Sequence, residues 1–428
     1  MNSKIAEQIV SYRLQNDVNI EASKNIGYLI KKERLKRDLR LTDVAKGICS
    51  LSYLSKIENN AIEPNDYIVE EICKRLGITP IVDNQKGDSK TNLLTLLVND
   101  IERKTDDNIK HHINVLKTSF KNDDDHLTRL IHLTYSIYMS DLSKSKSLCQ
   151  DLFKIHNHFS NYELCIFYEQ LGSYHLLRKD YEDALRFLTL SYKLMKRLGL
   201  NRPLLIYKLA WVHYVGNRKY KSYLYARSAS QLFSEQNSFF RKIQTEILIS
   251  LCLAQEDYTL SLEKYNNLIQ TTDHLNFHQL NYICRFNLGL LYIEYQEYTE
   301  ALTVYKTLYK KADKNDLDAL LKIIYIYLKI EDHNSVRHYL EKLDSIDTNL
   351  EKKFIYEHYF KIILNDYNGI NLLKFYRNHA LPYARKEKNV DLEIIFLQQR
   401  ASLYEREGRY KDALEDYKKI TKKAGVLK

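Results

Sequence analysis

The sequence predicts an all-α protein in which a small N-terminal helix-turn-helix domain is followed by a tetratricopeptide-like α-solenoid. Three observations support this fold class. The 428-residue chain contains only 11 glycines and 4 prolines, too few turn residues for the many short strands of a β-rich fold. Apolar residues recur at helical spacing through most of the chain. Similar segments also return about every 39 residues, as in stacked helix hairpins.

These patterns divide the chain into four parts: a helical extension at residues 1–22, a helix-turn-helix domain at residues 23–80, a linker at residues 81–92 and a repeat domain at residues 93–428. The extension is predicted to place its apolar residues on one side: Ile5, Ile9, Tyr12 and Leu14. The linker is placed where the sequence is polar and contains proline and glycine.

The charge, the cysteine content and the hydropathy of the sequence indicate where the protein is located and which partners it can have. The net charge of +10 is compatible with a polyanionic partner. The six cysteines are widely scattered, without metal-binding spacing, so they are predicted to be buried thiols in a reducing cytosol. The N-terminus has charges and no apolar core stretch, unlike a signal peptide, and no apolar run approaches the length of a membrane span. We therefore expect a cytoplasmic protein without membrane association.

The N-terminal domain is predicted to consist of short helices at residues 24–38, 41–46, 51–59 and 67–76, with Ser50 capping the third. The segment resembles the phage-repressor-type (XRE-like) domain over about 55 residues. The matching positions are Ile26-Gly27, Arg34, Ala45, Ile48, Ser50, Tyr53 to Asn59, Pro64 and Leu76-Gly77-Ile78. The chain departs from the family at Arg40-Leu41, where Thr-Gln is usual. This departure removes a cap and a common polar contact to DNA.

The third helix of such a domain presents its outward side chains to the major groove of DNA. Leu54 and Ile57 are three residues apart and are predicted to face inward. The outward candidates for base contacts are Ser50, Leu51, Ser52, Ser55 and Lys56. The candidates for phosphate contacts are Lys31, Lys32, Arg40, Lys46 and Asn59. Each of these ten residues is alternatively a solvated surface residue.

The repeat is most visible in three segments that share one spacing: Gly172, Tyr181 and Ala184; Gly289, Tyr298 and Ala301; and Ala401, Tyr410 and Ala413. Weaker copies are centred on Tyr220, Tyr258, His333 and Tyr367. The small residues are predicted to let two helices approach closely, and the tyrosine to start the second helix of each hairpin. The motifs resemble tetratricopeptide repeats across roughly residues 125–425, or seven to eight units. An unrelated helical repeat array is the alternative.

No catalytic motif is recognisable in the sequence. Phosphate-binding glycine loops, H-E-x-x-H and G-x-S-x-G are missing. The histidine pairs His111-His112 and His156-x-His158 lack the spacing that puts two ligands on one helix face. We therefore predict no catalytic residues, no metal site, no cofactor and no enzymatic activity.

The order of the two domains resembles the Rap/Rgg/NprR/PlcR/PrgX family of peptide-responsive regulators, and the NprR-type members in particular. The resemblance implies a transcription regulator that binds double-stranded operator DNA and is controlled by a short signalling peptide in the groove of the repeats, as in quorum sensing. Two alternatives remain: the repeats are a protein-docking scaffold, or the chain is a phage or mobile-element repressor without a peptide ligand. Because one small head reads few base pairs, we expect a homodimer or a higher homo-oligomer.

Candidate peptide contacts follow from counting back from the repeat tyrosines to the first helix of each hairpin, which lines the concave side. Amide side chains can pair with both kinds of peptide backbone group. A lysine can bind a carboxylate. The predicted contacts are Glu169, Gln170, Ser173, Lys208, Glu246, Ser250, Asn287, Gln398 and Gln399. Simple solvation of an open groove is the alternative for each.

Overall fold

The computed structural model describes residues 3–15, 26–58, 62, 65–78, 84–121, 123–312, 316–346, 351–364 and 371–426. All regular elements in these ranges are helical, and no β-strand occurs among them. The predicted all-α fold is therefore confirmed. None of the helices in the same ranges has the length and apolarity required to cross a membrane. The chain forms two compact units, residues 1–249 and residues 250–428.

The N-terminal part of the first unit contains one separate helix and four head helices: α1 (Ser3–Gln15), α2 (Ile26–Lys36), α3 (Leu41–Ala45), α4 (Leu51–Glu58) and α5 (Asp66–Leu76). The bounds of α2 to α5 lie within about two residues of the predicted ones, whereas α1 covers only Ser3–Gln15 of the predicted extension at residues 1–22. The head helices α2 to α5 enclose a small apolar core that includes Ile30, Val44, Leu54, Ile57 and Ile72. The predicted inward direction of Leu54 and Ile57 is confirmed.

The rest of the first unit consists of helices α6 (Asn84–Arg103), α7 (Asp106–Ser119), α8 (His126–Tyr138), α9 (Leu142–Ile155), α10 (Asn161–Leu177), α11 (Tyr181–Arg197), α12 (Pro203–Val215), α13 (Lys219–Glu235) and α14 (Phe239–Leu253), the last of which crosses the boundary between the units. Consecutive helices pair as hairpins, and a 3₁₀ turn at His156–His158 follows α9. One continuous core runs from α6 to α13 and includes Ala6 and Val10 of α1.

The second unit continues with α15 (Tyr258–His274), α16 (His278–Glu294), α17 (Tyr298–Lys311), α18 (Leu317–Lys329), α19 (His333–Ser345), α20 (Glu351–Ile363), α21 (Leu372–Phe375), α22 (Leu381–Lys386), α23 (Val390–Arg406) and α24 (Tyr410–Val426). A π-helical turn at Tyr376–Ala380 joins α21 to α22. The second helices of the hairpins begin at Tyr181, Tyr258, Tyr298, His333 and Tyr410, as the repeat predicts. Tyr367 lies outside the described residues.

In several hairpin turns, a residue other than glycine adopts the left-handed conformation that usually favours glycine. The middle turn residue has a positive φ in several hairpins, including Lys179 at 57°, Asn217 at 54° and Gln296 at 63°. In the turn before α11, the Lys179 N–H donates to the Leu176 carbonyl (2.9 Å) and the next N–H donates to the His175 carbonyl (2.8 Å). These bonds satisfy the last carbonyls of α10 and reverse the chain within three residues.

The small residues of the repeat lie where helices cross closely, as predicted. A Cβ atom on Gly172 would lie 2.5 Å from Cγ of Leu188, and one on Gly289 would lie 2.6 Å from Cζ of Tyr305. Ala184 and Ala301 are fully buried at the corresponding positions of the second helices. A larger residue at either glycine position would therefore require the neighbouring Leu188 or Tyr305 side chain to move.

The predicted linker is wrong in its second part, because α6 already begins at Asn84. The polar residues there include Lys90, which is buried and forms ion pairs with Asp123 (2.7 Å) and Asp125. Two carboxylates neutralise the lysine, so a polar segment becomes part of the packed unit. The boundaries of the four predicted parts otherwise remain predictions.

Helix α1 packs on α11 with only part of the predicted face: Ile9 and Leu14 are half-buried against the core. Its buried apolar residues are Ala6 and Val10, whereas Ile5 and Tyr12 are nearly half exposed. The reason is Arg13, which is buried on the inner side and fixes the rotation of the helix. Its guanidinium donates to the carbonyls of Phe159 and Asn157 (2.7 Å each) and to Oδ1 of Asn161 (3.1 Å).

Candidate functional site

The head is fixed by a buried ion pair between its first and third helices. The Arg34 guanidinium donates to both carboxylate oxygens of Glu58, at 2.6 and 2.8 Å, and to the Leu39 carbonyl at 2.9 Å. The hydrogen bond with Glu58 raises the pKa of Arg34 above its usual value. Two parallel bonds set the angle as well as the distance of α4 relative to α2.

Helix α4 begins with the predicted cap, because the Ser50 hydroxyl accepts a hydrogen bond from the Tyr53 N–H (3.1 Å). Beyond the cap, Leu51, Ser52 and Lys56 are exposed and Ser55 is half-buried. The apolar Leu51 is 48% exposed, although burial would be favourable for it. The helix thus presents a mixed polar and apolar face to solvent.

The flanking candidates for phosphate contacts differ in position. Arg40 and Lys46 are exposed at the two ends of α3. The Arg40 N–H donates to the Asp43 carboxylate (2.7 Å), so one half of a capping box replaces the missing threonine cap. Lys31 is half-buried. The pKa of His158 is lowered mainly by burial and then by the positive charge of Lys31, so this charge acts on the turn between α9 and α10. The side chain of Lys32, like Asn59, lies outside the described residues.

A cavity of about 340 Å³ lies among α6, α8, α10, α12 and α14 in the first unit. Four of the predicted peptide contacts line it: Glu169, Gln170, Ser173 and Lys208. Its apolar wall includes Ile101, Ile137, Leu204, Tyr207 and Trp211. A concave, largely apolar site with a few convergent polar groups is the usual form of a ligand site.

Charged side chains meet on the floor of this cavity. Arg202 donates to Oε2 of Glu169 (2.7 Å) and to the Glu102 carboxylate, and Lys208 donates to Oε1 of Glu169 (2.7 Å). Burial alone would raise the pKa of Glu169, but Arg202 and Lys208 hold it below its usual range. Burial raises the pKa of Glu102 in spite of Arg202. Glu169 is thus committed to two cations and is a structural member of the floor.

The other five predicted peptide contacts do not line this cavity. Ser250 is fully buried, and its carbonyl accepts a bond from Ser261 of α15 (3.4 Å), so its side chain has no exposed surface for a ligand. Glu246 is half-buried and accepts a hydrogen bond from the Ser230 hydroxyl (2.6 Å). The remaining three, Asn287, Gln398 and Gln399, belong to the second unit and keep at least part of their surface.

Sequence reasoning missed Arg202, Arg241, Tyr207 and Trp211, which all line the cavity. The repeat period could have located the cations. Glu169 and Lys208 are 39 residues apart and form an ion pair, just as Gln255 and Glu294, also 39 apart, form a hydrogen bond (2.7 Å) in the second unit. Equivalent positions of adjacent hairpins are neighbours in space, and Arg202 and Arg241 are also separated by 39 residues.

A second group of polar side chains was also not predicted. Nδ1 of His175 lies 3.3 Å from the Asp180 carboxylate, and Asp183 belongs to the same cluster. Asp183 also lies 3.5 Å from the Arg186 guanidinium. Both carboxylates therefore have partners within the chain, and the cluster is explained by the packing of the α10–α11 hairpin.

Comparisons with known proteins agree with this arrangement. Residues 30–82 match the family described as "Helix-turn-helix". The chain is 24% identical over 405 residues to the transcriptional activator NprA of Geobacillus stearothermophilus, covering 88% of this chain and 97% of that protein. The apo form of the quorum sensor NprR from B. thuringiensis is similar in fold (TM-score 0.62, 16% identity, 79% of this chain and 99% of the other). So is NprR in complex with its cognate peptide NprX (TM-score 0.56, 16% identity, 78% and 97%).

Proposed function

We infer that this chain, a regulator of the Rap/Rgg/NprR/PlcR/PrgX type with an XRE-like head, controls transcription by binding operator DNA in response to a short peptide. The observation that carries the inference is the helix-turn-helix match at residues 30–82, within which α4 has an exposed face. The predicted repeat body is also present, with the fold of NprR. We place the protein in the cytoplasm, where operator DNA and a re-imported peptide would meet.

For DNA, we propose that α4 enters the major groove. Lys56 would donate to guanine and Ser52 to a base edge, while Leu51 would contact a thymine methyl group. Ser50 and Ser55 would flank these contacts. Arg40 and Lys46 would bind phosphates and thereby set the register without reading sequence. Lys31, Lys32 and Asn59 remain candidates of the same kind.

For the peptide, we propose the cavity between α10 and α12 as the site. Gln170 and Ser173 offer hydrogen-bonding groups on its wall, and Tyr207 and Trp211 offer flat apolar surface. NprR has been observed with the peptide NprX bound, and its fold is similar. Asn287, Gln398 and Gln399 belong to the second unit and remain candidates for peptide contacts.

We further propose a homodimer on DNA. A single head of this size reads few base pairs, and a second head would double the site. Light scattering at micromolar concentration, with and without bound DNA, tests this proposal. A monomer under both conditions would contradict it.

The whole function is tested by two selections with the full chain. Selection from a random pool of duplex DNA should enrich one site, and affinity selection from a pool of pentapeptides should retain a small subset. A retained peptide should then change the affinity for the selected DNA at least about fivefold, the lower end of usual coupling. Failure to enrich any DNA sequence would overturn the DNA-binding role, and unchanged affinity would overturn the control by peptide.

A further inference from the structure

Arg202 lines the cavity and has one guanidinium nitrogen without a hydrogen-bond partner among the described residues. Its side chain is buried, with Nε bonded to Glu102 and Nη2 bonded to Glu169. Nη1 is also buried, but no group in the described part of the chain accepts a hydrogen bond from it. A buried donor without a partner is costly, and more so when it carries charge. Nη1 has almost no accessible surface, but the Arg202 residue lines the cavity, so the cavity is the side from which a ligand would supply an acceptor after a small shift of the neighbouring side chains.

The charges around Arg202 do not balance. Glu102 and Glu169 face three cations: Arg202, Lys208 and Arg241. Arg241 is bonded only to neutral acceptors: the Glu102 carbonyl (3.2 Å), the Ile101 carbonyl (2.8 Å) and the Gln244 side chain (2.9 Å). Among these five side chains, the cations outnumber the carboxylates by one. A low-dielectric wall makes this surplus attractive to an anion.

The excess positive charge and the apolar wall of the cavity indicate which kind of anion would bind. A carboxylate carries one negative charge and two acceptor oxygens, which matches one excess positive charge and the two unpaired N–H groups of Nη1. A phosphate would bring more negative charge next to two carboxylates that already flank Arg202. The neighbouring wall of Leu204, Tyr207 and Trp211 would cover an apolar side chain beside the anion.

We propose that Arg202 binds a carboxylate of the peptide ligand, with a bulky apolar residue next to it in the sequence of the peptide. The proposal rests on the proposed peptide-binding function. The carboxylate belongs either to the C-terminus of the peptide or to an Asp or Glu side chain. In both cases, Nη1 of Arg202 donates to a carboxylate oxygen, and the ligand supplies the charge that the floor lacks.

The experiment uses the full chain and four pools of synthetic pentapeptides. The pools have either a free C-terminal acid or an amide, and either include or omit Asp and Glu. After affinity selection, mass spectrometry measures the retained fraction of each pool. We expect acid-containing pools to be retained at least tenfold better than the amidated pool without Asp and Glu. Preference for the free acid assigns the C-terminus, and preference for Asp or Glu assigns a side chain.

The possible failures are distinguishable. If the amidated, acid-free pool is retained as well as the others, peptide binding stands but the carboxylate assignment is overturned, and a water molecule would satisfy Nη1. If no pool is retained, both the assignment and the peptide-binding function fail.

Variants supply an independent test. Removing Arg202 alone would leave the buried Glu102 carboxylate without its partner, while Glu169 would keep Lys208. The double variant Arg202→Gln/Glu102→Gln therefore keeps polar side chains in place without the guanidinium charge. We expect it to lose the tenfold preference for carboxylates while its circular dichroism spectrum is unchanged. The matched control is Arg400→Gln/Asp416→Asn, which removes another buried pair (2.7 Å) in the second unit. A preference that survives in the first variant would overturn the proposal.

Discussion

Arg13 reaches across 146 residues of sequence to donate a hydrogen bond of 2.7 Å to the carbonyl of Phe159. With its bonds to Asn157 and Asn161, this contact attaches α1 to the end of the 3₁₀ turn and the start of α10. We predict that Arg13→Ala detaches α1, since hydrogen bonds of a charged group contribute roughly 1.5–3 kcal/mol each before relaxation. Hydrogen exchange of the α1 amides should accelerate at least tenfold. Glu7→Ala, at an exposed position of the same helix, should leave exchange unchanged; equal protection in both variants would contradict the anchoring role.

The Arg34–Glu58 pair offers a test of the head. Glu58→Gln leaves the buried Arg34 charge without its counterion, which costs about 3–5 kcal/mol for a buried pair. We expect the free energy of unfolding of the head, measured by urea denaturation, to fall by about this amount. The affinity for selected DNA should fall as well. The comparison is Glu70→Gln, which removes an exposed partner of Lys74 and should cost less than about 1 kcal/mol. Similar losses of unfolding free energy in both variants would contradict the claim that burial makes the Arg34–Glu58 pair important for stability.

The crossing of α10 and α11 depends on Gly172. Gly172→Ala would place Cβ at 2.5 Å from Leu188 Cγ, and such overpacking costs about 1–3 kcal/mol. Trimming the neighbour in Gly172→Ala/Leu188→Ala should recover part of that loss. A double-mutant cycle of unfolding free energies measures the coupling between the two sites. Strictly additive effects would mean that the helices do not meet at this point.

The proposed base contact of Lys56 is separable from a phosphate contact. We expect Lys56→Ala to lose about 1–3 kcal/mol on the selected DNA site and little on random DNA. Lys46→Ala should weaken both and reduce the slope of log affinity against log salt by about 0.9. Fluorescence anisotropy at several salt concentrations measures both quantities. Equal losses of Lys56→Ala on both DNAs would remove it from base readout.

The pH dependence of stability tests the packing around His156. Its Nδ1 donates to the Phe153 carbonyl (2.5 Å), and burial lowers its pKa to about 4. The unfolded chain takes up a proton near pH 6.5, so stability falls as the pH falls from about 6.5 to 4. His156→Phe should remove up to about 3 kcal/mol of this dependence, measured by urea denaturation across that pH range. His111→Phe, at an exposed position, is the control, and an unaltered slope in His156→Phe would contradict the assignment.

Local signals in the sequence determined the all-α class, the head and the repeat. Ser50 caps α4, Leu54 and Ile57 face inward and the repeat tyrosines begin the second helices, because caps, apolar spacing and turn positions act within a few residues. Local signals failed where distant residues decide the outcome. Residues 84–92 were assigned to a linker because their polarity was visible, whereas the carboxylates that neutralise Lys90 follow more than thirty residues later.

The composition of the cavity was decided by tertiary structure. Glu169, Gln170, Ser173 and Lys208 were predicted because they occupy equivalent positions of neighbouring repeats, and stacking places such positions side by side. The pairing of Arg202 with Glu102 was not predictable in this way, because the two residues are 100 residues apart and belong to different hairpins. Which donors of a buried arginine find partners depends on the packing of all the helices around it, and only that packing leaves Nη1 of Arg202 without an acceptor beside the cavity.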